Sequence, residues 1–366
     1  MILLVHNRYR APGGEERAVE DLAWLIRTEL GEQAAVIERD SAALGPARAA
    51  AGLLGGGLRP AAVAGAVRRS EARVVHAHNV HPAFGWRALA AARAEGARVV
   101  LHLHNYRLVC AIGTCFTRGA DCTRCHGRHT LPGVRLNCRG SRAESVVYGA
   151  SLALWQRRLA GAVDAFVVPS AFALGRLREL GAPLDDRAVV IPSVQRALAP
   201  SSAAGTGRFA LAAGRLTPEK GFADAIAACA RAGVPLVVAG DGPQLAELQA
   251  LGGDVRFVGR VGAGELALLR RQAALAIVPS RYAEILPLAA LEAMAAGLPL
   301  AAAHAGGLIE AAPMDGLYEP GDVAGLAKRI ESLYANAEAG ERALALARER
   351  YAPPVVAGAL RDVYGP

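Results

Sequence analysis

Short apolar runs rich in Val, Ile and Leu recur along the chain, most of them followed by a stretch with helical spacing. This alternation limits the fold more than any other feature. "ILLVH" near the start reads as a buried strand, followed by the turn "APGG" and by "EERAVEDLAWLIRTEL", whose apolar residues fall at helical intervals. The pattern returns in "ARVVHAHN" with a helix to 95, in "ARVVLHLHN", in "AFVVPS" with "AFALGRLREL", and in "AVVIPS". Uniformly apolar strands of this kind are covered on both faces, as in a parallel α/β sheet.

Residues 192–207, "PSVQRALAPSSAAGTG", lose the periodicity and collect Pro, Ser and Gly, which marks a domain boundary. A second series then begins: "RFALAAG", "PLVVAG", "VRFVG", "LAIVPS" and "LPLAAA". The expected organisation is two Rossmann-like parallel-sheet domains, 1–195 and 196–350, facing each other across a cleft. Ligands of such sheets sit beyond the carboxyl ends of the strands, so the loops that follow strands are where chemistry is sought.

At 366 residues the chain has room for two cores. Its 41 basic and 33 acidic residues leave a net charge of +8, which favours anionic partners without choosing among them. Only Lys220 and Lys328 are lysines, so the arginine excess reads as compositional bias and the basic balance is discounted. The first residues do not read as a secretory leader, and no uncharged run reaches the roughly 20 residues that span a bilayer. The expectation is a cytoplasmic protein with at most peripheral contact at the inner face of a membrane.

Two stretches carry the candidate chemistry. In "AEILPLAALEAMAAGLP", 283–299, Glu284 and Glu292 are the only charges among apolar neighbours, a costly setting unless each is paired or hydrogen-bonded. Pro287 is tolerated in a first helical turn, which places Glu284 in the loop after "LAIVPS" and Glu292 on the helix behind it, both able to face one pocket. In "AAGRLTPEKGFADAI", 212–226, Arg215 and Lys220 stand in a loop between a strand and a helix. A guanidinium that grips oxygens bidentately and an ammonium point charge suit a diphosphate.

Together with "GGEE", "VVAGDGP", "VRFVGRV", "PSRYAEILPLAALEAMAAGLPLAA" and the pair Gly306–Gly307, these stretches resemble the family-4 retaining glycosyltransferases of the GT-B fold over nearly the whole chain. The resemblance implies that Arg215 and Lys220 hold a nucleotide diphosphate, with Gly13 and Gly14 allowing backbone to approach it. Glu292 then takes ribose hydroxyls, Glu284 lies near the donor sugar, and Val261 contacts the base. Ile285, Leu286 and Leu288 occupy the donor loop, where the family often has a Gly-Phe-Gly-like sequence; Pro287 offers no amide there. His104 matches the histidine that faces the donor sugar. His102 reads as buried, and His78 and His81 as satisfied polar residues at a strand end. The residues after 350 are expected to form a C-terminal helix (351–366) packed back on the first domain, as in the family.

The implied reaction moves a sugar from a UDP- or GDP-sugar to a hydroxyl acceptor (a small molecule, a glycan or a lipid-linked glycan) with retention and without a catalytic metal. Arg215, Lys220, Glu284 and His104 are its catalytic candidates. A nucleotide-sugar epimerase of the same fold is the alternative, although the N-terminal half offers no paired acids suited to proton exchange. A zinc-containing nucleic-acid binder lacks a recognition helix or an aromatic stacking series, so no nucleic-acid partner is expected.

Five of the six cysteines lie between 110 and 138, inside an insertion of about 110–140. Intracellular cysteines so spaced more often hold metal than form disulfides. Cys110, Cys122, Cys125 and Cys138 give C-x11-C-x2-C-x12-C, a set that can close a structural zinc site. Cys115, His126 and His129 are rival ligands. A branch of the same glycosyltransferases is similar in its "HNYRLVC" and following cysteines, and has no cysteine at the position of Cys115.

Overall fold

The computed structural model describes residues 1–10 and 13–365. Their contacts divide them into two compact units, one of residues 1–117, 122–194 and 353 onward, the other of 195–352 with 118–121. Of the turn expected at 11–14, residues 11 and 12 lie outside the described residues.

The first unit is built on a six-stranded parallel sheet. Its strands are β1 (Ile2–Arg8), β2 (Ala34–Asp40), β3 (Val74–Ala77), β4 (Arg98–His102), Ala165–Val168 and Ala188–Val190, in spatial order β2, β1, β3, β4 and then the last two. The strand order reverses between β1 and β3, where an open α/β sheet leaves a crevice for ligands. β2 is an edge strand that alternates half-buried and exposed residues and ends in Glu38-Arg39-Asp40, so a search for apolar runs passes over it. The helix Pro353–Tyr364 buries Val356, Ala357, Leu360, Val363 and Tyr364 against Ile2, Leu4, Val74 and Val100.

Another six-stranded parallel sheet forms the second unit, in the order Val255–Gly259, Leu236–Ala239, Ala210–Ala213, Leu275–Val278, Leu300–Ala303, Leu317–Tyr318. This is the 3-2-1-4-5-6 order of doubly wound nucleotide-binding sheets, with its reversal between 210–213 and 275–278. The two loops singled out by their charges, 214–221 and 279–287, are the ones that follow these two strands. The α/β class with two parallel-sheet domains is therefore what the structure shows. Among the described residues, no helix is long and apolar enough to cross a membrane.

Candidate functional site

At the reversal point of the second sheet the two loops are clipped together. Gly221 adopts φ 69°, in the left-handed region that favours glycine, and a Cβ there would collide with the Pro279 carbonyl oxygen. Arg281 donates its backbone N–H to the Glu219 carbonyl at 2.8 Å, and its side-chain Nε reaches buried Asp224 at 2.7 Å. Gly307 donates its N–H to the Glu284 carbonyl at 2.7 Å, which brings the Gly306–Gly307 turn against the same loop.

This clip sets the charged side chains. Lys220, in a 3-10 turn, places Nζ 2.6 Å from Glu284 Oε2, and the other carboxylate oxygen accepts from the buried Ser280 hydroxyl. The pair is mostly enclosed, with side-chain exposures of 19% and 9%. Lys220 Nζ also lies 5.4 Å from the centre of the Tyr282 ring. Burial, then the charges of Glu284 and Glu219, push the Tyr282 phenol well above its usual value, while Arg215 is near enough to pull it back. Lys220 and Glu284 thus meet beside Tyr282, whose phenol also feels the charge of the exposed Arg215.

Glu292 is placed differently. It stands on the helix Leu288–Ala295, for which Pro287 is the N-cap, and is ion-paired to buried Arg270 of the helix Ala263–Gln272. The two glutamates therefore have separate cationic partners. Ile285 is buried, while Leu286, Leu288 and Val261 are half-buried against the apolar core of the unit.

In the first unit, Gly13 is the N-cap of the helix Gly14–Thr28, and both glycines are exposed. Gly13 donates its N–H to Glu16 Oε2 at 2.7 Å, and the Tyr9 N–H reaches Oε1 of the same carboxylate at 3.1 Å. The Tyr9 hydroxyl donates to Glu15 at 2.6 Å, and the Arg107 guanidinium lies 4.7 Å from the Tyr9 ring centre. Burial raises the Glu15 carboxyl above its usual range.

His104 follows β4 by two residues and belongs to a group of five imidazoles with His6, His76, His78 and His102. His78 continues β3 and donates to or accepts from His104, Nδ1 to Nε2, at 2.8 Å. His102 stacks on His104 at 4.1 Å between ring centres, His76 stacks on His78 at 4.9 Å, and His6 meets His78 edge-on. Burial holds His78, His102 and His104 well below the usual imidazole value and His76 down to about 3, so these four rings are neutral.

Among the described residues, His76, His78 and His102 are the one set of three His, Cys, Asp or Glu side chains whose ligand atoms all lie within 4.8 Å of one another. Their rings are within 11–29° of parallel, however, and stacked rings do not aim lone pairs at a common point. The cysteines are arranged otherwise. Cys110, Cys115, Cys122, Cys125 and Cys138 line one cavity and all six cysteines are free thiols, yet no three of these sulfurs come within 4.8 Å of one another. The tetrahedral set expected from the spacing is thus not drawn together. A hydrogen bond from Cys115 lowers the Cys110 thiol to about 6, against burial and with help from the amides of 112, 113 and 115. His126 bonds the Glu179 carbonyl at 3.1 Å, and neither it nor His129 lines the cavity.

Sequence reasoning missed Ser280, Arg270 and Tyr282, and read His78 only as a satisfied polar residue at a strand end. Arg270 and His78 gain their partners from another element or across a strand pair, whereas Ser280 and Tyr282 share the 279–287 loop with Glu284.

Comparison with known proteins places these features. The family described as "Glycosyl transferase 4-like domain" matches residues 5–193, and "Glycosyl transferases group 1" matches 195–350. A glycogen synthase of Mycobacterium tuberculosis is 40% identical over 151 residues, covering 37% of this chain and 36% of the relative. A GDP-mannose-dependent alpha-mannosyltransferase of Corynebacterium glutamicum is 36% identical over 97 residues, 26% of this chain and 23% of that one. The match thus spans about a third of the first relative's length. Among solved structures, Anabaena HepE in complex with UDP-glucose superposes with a TM-score of 0.63 at 19% identity, over 99% of this chain and 98% of that one. This likeness shows the GT-B fold.

Proposed function

The chain belongs to the glycosyl transferase 4-like family, with a group 1 glycosyl transferase unit over 195–350, and on that footing we propose that it moves a sugar from a nucleotide diphosphate sugar to a hydroxyl acceptor with retention of configuration. The observation that carries this reading is the Lys220–Glu284 pair beside Tyr282, in the loops at the reversal point of a doubly wound sheet, with Arg215 in the same loop as Lys220. Cleavage of a sugar–phosphate bond leaves charge on the diphosphate, so preorganised cations lower the barrier most. Arg215 and Lys220 take that role. Glu284 accepts hydrogen bonds from sugar hydroxyls, and Glu292 from the ribose diol, each carboxylate having two oxygens to offer. In the first unit, His104 bonds a donor hydroxyl, and Gly13 and Gly14 admit close backbone approach. The acceptor hydroxyl attacks from the face the leaving group departs, so no enzyme nucleophile is required.

The donor is a UDP- or GDP-sugar, the classes named for the HepE complex and the mannosyltransferase. Val261, with Ile285, Leu286 and Leu288, borders the base and donor loop. Binding and slow hydrolysis of a panel of UDP- and GDP-sugars, with wild type beside Lys220→Ala, tests the reading. It fails if no donor binds, or if the variant turns over as well as wild type.

Zinc is proposed for the insertion, held by Cys110, Cys122, Cys125 and Cys138. Free thiols around one cavity, one of them shifted toward thiolate by amide and thiol donors, are the right chemistry for it. Its contribution is to the shape of the insertion, not to the reaction.

A further inference from the structure

Nε2 of His104 is already committed. It lies 2.8 Å from Nδ1 of His78, a contact that needs one shared proton between two rings that burial keeps neutral. The His104 ring is also fixed by its face, stacked on His102 at 4.1 Å and 13° from parallel. His102 in turn stacks on His76 and His78, and Nδ1 of His76 is anchored by the Tyr364 hydroxyl at 2.7 Å. The ring nitrogens of His6 and His102 are sealed without hydrogen-bond partners. Nδ1 of His104 is not among those enclosed atoms, and no described residue hydrogen-bonds to it. One edge of one ring in this group is therefore open to a ligand.

We propose that His104 meets its ligand through Nδ1 alone, and that His78 is the positioning residue that holds Nε2 and confines His104 to one tautomer. The strand register makes this possible. Val74 to Ala77 pair with Arg98 to Leu101, so the next residue, His78, stands beside His102, and its Nδ1 reaches the ring two positions further on. A single tautomer gives the Nδ1 edge one fixed hydrogen-bonding sense toward a hydroxyl or phosphate oxygen. The inference concerns His104 within the proposed transferase reading, but the tautomer itself is independent of turnover.

The experiment has two arms. In the first, long-range nitrogen–proton NMR of histidine-labelled full-length protein reads the His104 tautomer. Wild type should show one protonated and one bare nitrogen, and His78→Phe an averaged pair. An averaged pair in wild type, or an unchanged single tautomer in His78→Phe, overturns the proposal.

The second arm uses steady-state kinetics with the best donor from the nucleotide-sugar panel. His78→Phe should lose roughly 10- to 100-fold in kcat with little change in donor KM. His78→Asn, whose amide falls near Nδ1, should recover much of it. His104→Asn, which keeps a polar atom near Nδ1, should outperform His104→Gln, which keeps one near Nε2; the reverse order overturns the assignment of Nδ1. If wild type turns over no donor while the NMR arm behaves as expected, the transferase reading fails and the positioning role stands.

Discussion

Lys220 Nζ lies 2.6 Å from Glu284 Oε2 in a pair that is largely enclosed, so the cation proposed for a diphosphate is already engaged by the carboxylate proposed for a sugar. The pairing keeps either group from being an uncompensated buried charge. Donor binding must share or replace this contact.

Lys220→Ala strands the Glu284 carboxylate with the Ser280 hydroxyl. Removing one partner of a buried pair should cost about 3 kcal/mol of stability, and affinity for UDP-glucose or GDP-mannose should drop at least about tenfold, one hydrogen-bonded charge. The double variant Lys220→Met, Glu284→Gln removes both charges and should regain most of the stability. It should not regain donor affinity. Chemical denaturation and calorimetric titration separate the two effects; recovery of affinity in the double variant would remove Lys220 from the diphosphate.

Glu292 is tied to Arg270, both more than four-fifths enclosed. Glu292→Gln should lower stability by about 2–3 kcal/mol, since it takes the carboxylate charge away from a buried guanidinium. It should also weaken UDP or GDP binding. Arg270→Met should affect stability far more than nucleotide affinity. Equal losses of affinity in both variants would assign Glu292 a structural role only.

Burial alone would raise the Glu16 carboxyl, but the His6 ring 3.7 Å away and hydrogen bonds from the Gly13 and Tyr9 amides outweigh it and hold the group at about 2. A carboxyl depressed in the folded state contributes stability that is full above its unfolded value of about 4.3 and is lost as pH falls toward about 2. Glu16→Gln should therefore cost about 1–2 kcal/mol at pH 7, where the cap on Gly13 is also weakened. The difference from wild type should shrink between pH 4.5 and pH 2. A difference that stays constant with pH, measured by urea denaturation, would deny the charge any part in the cap.

Purified protein should carry about one zinc per chain. Cys122→Ser or Cys125→Ser should lower the zinc content and the thermal midpoint together, whereas Cys115→Ser should retain the ion. Substantially less than one zinc in wild type would count against the proposal.

Much of this was legible before any coordinates. The strands of both sheets, apart from the polar edge strand at 34–40 and the two-residue one at 317–318, announce themselves as apolar runs. Pro287 placed Glu284 in a loop and Glu292 on a helix, because proline's restriction acts locally. The partners of those acids were missed. Ser280 lies four residues before Glu284 in the same loop, a spacing that was passed over, whereas Arg270 reaches Glu292 through the packing of separate helices, which no spacing encodes. His78 was read as a satisfied polar residue for the same reason. Its partner lies across a strand pair, and pairing register is set by the whole sheet. Spacing likewise put five thiols in one insertion but could not say how closely their sulfurs approach.

The helix Pro353–Tyr364 fills part of the core beneath β1, β3 and β4, so the first unit borrows its last piece from the far end of the chain. During synthesis, residues 1–194 leave the ribosome with that socket unfilled, and the whole of the second unit must follow before it closes. A fragment ending at 194 should therefore expose the apolar seat of Val356, Leu360 and Tyr364 and aggregate, unless residues 353–364 are supplied as a separate peptide.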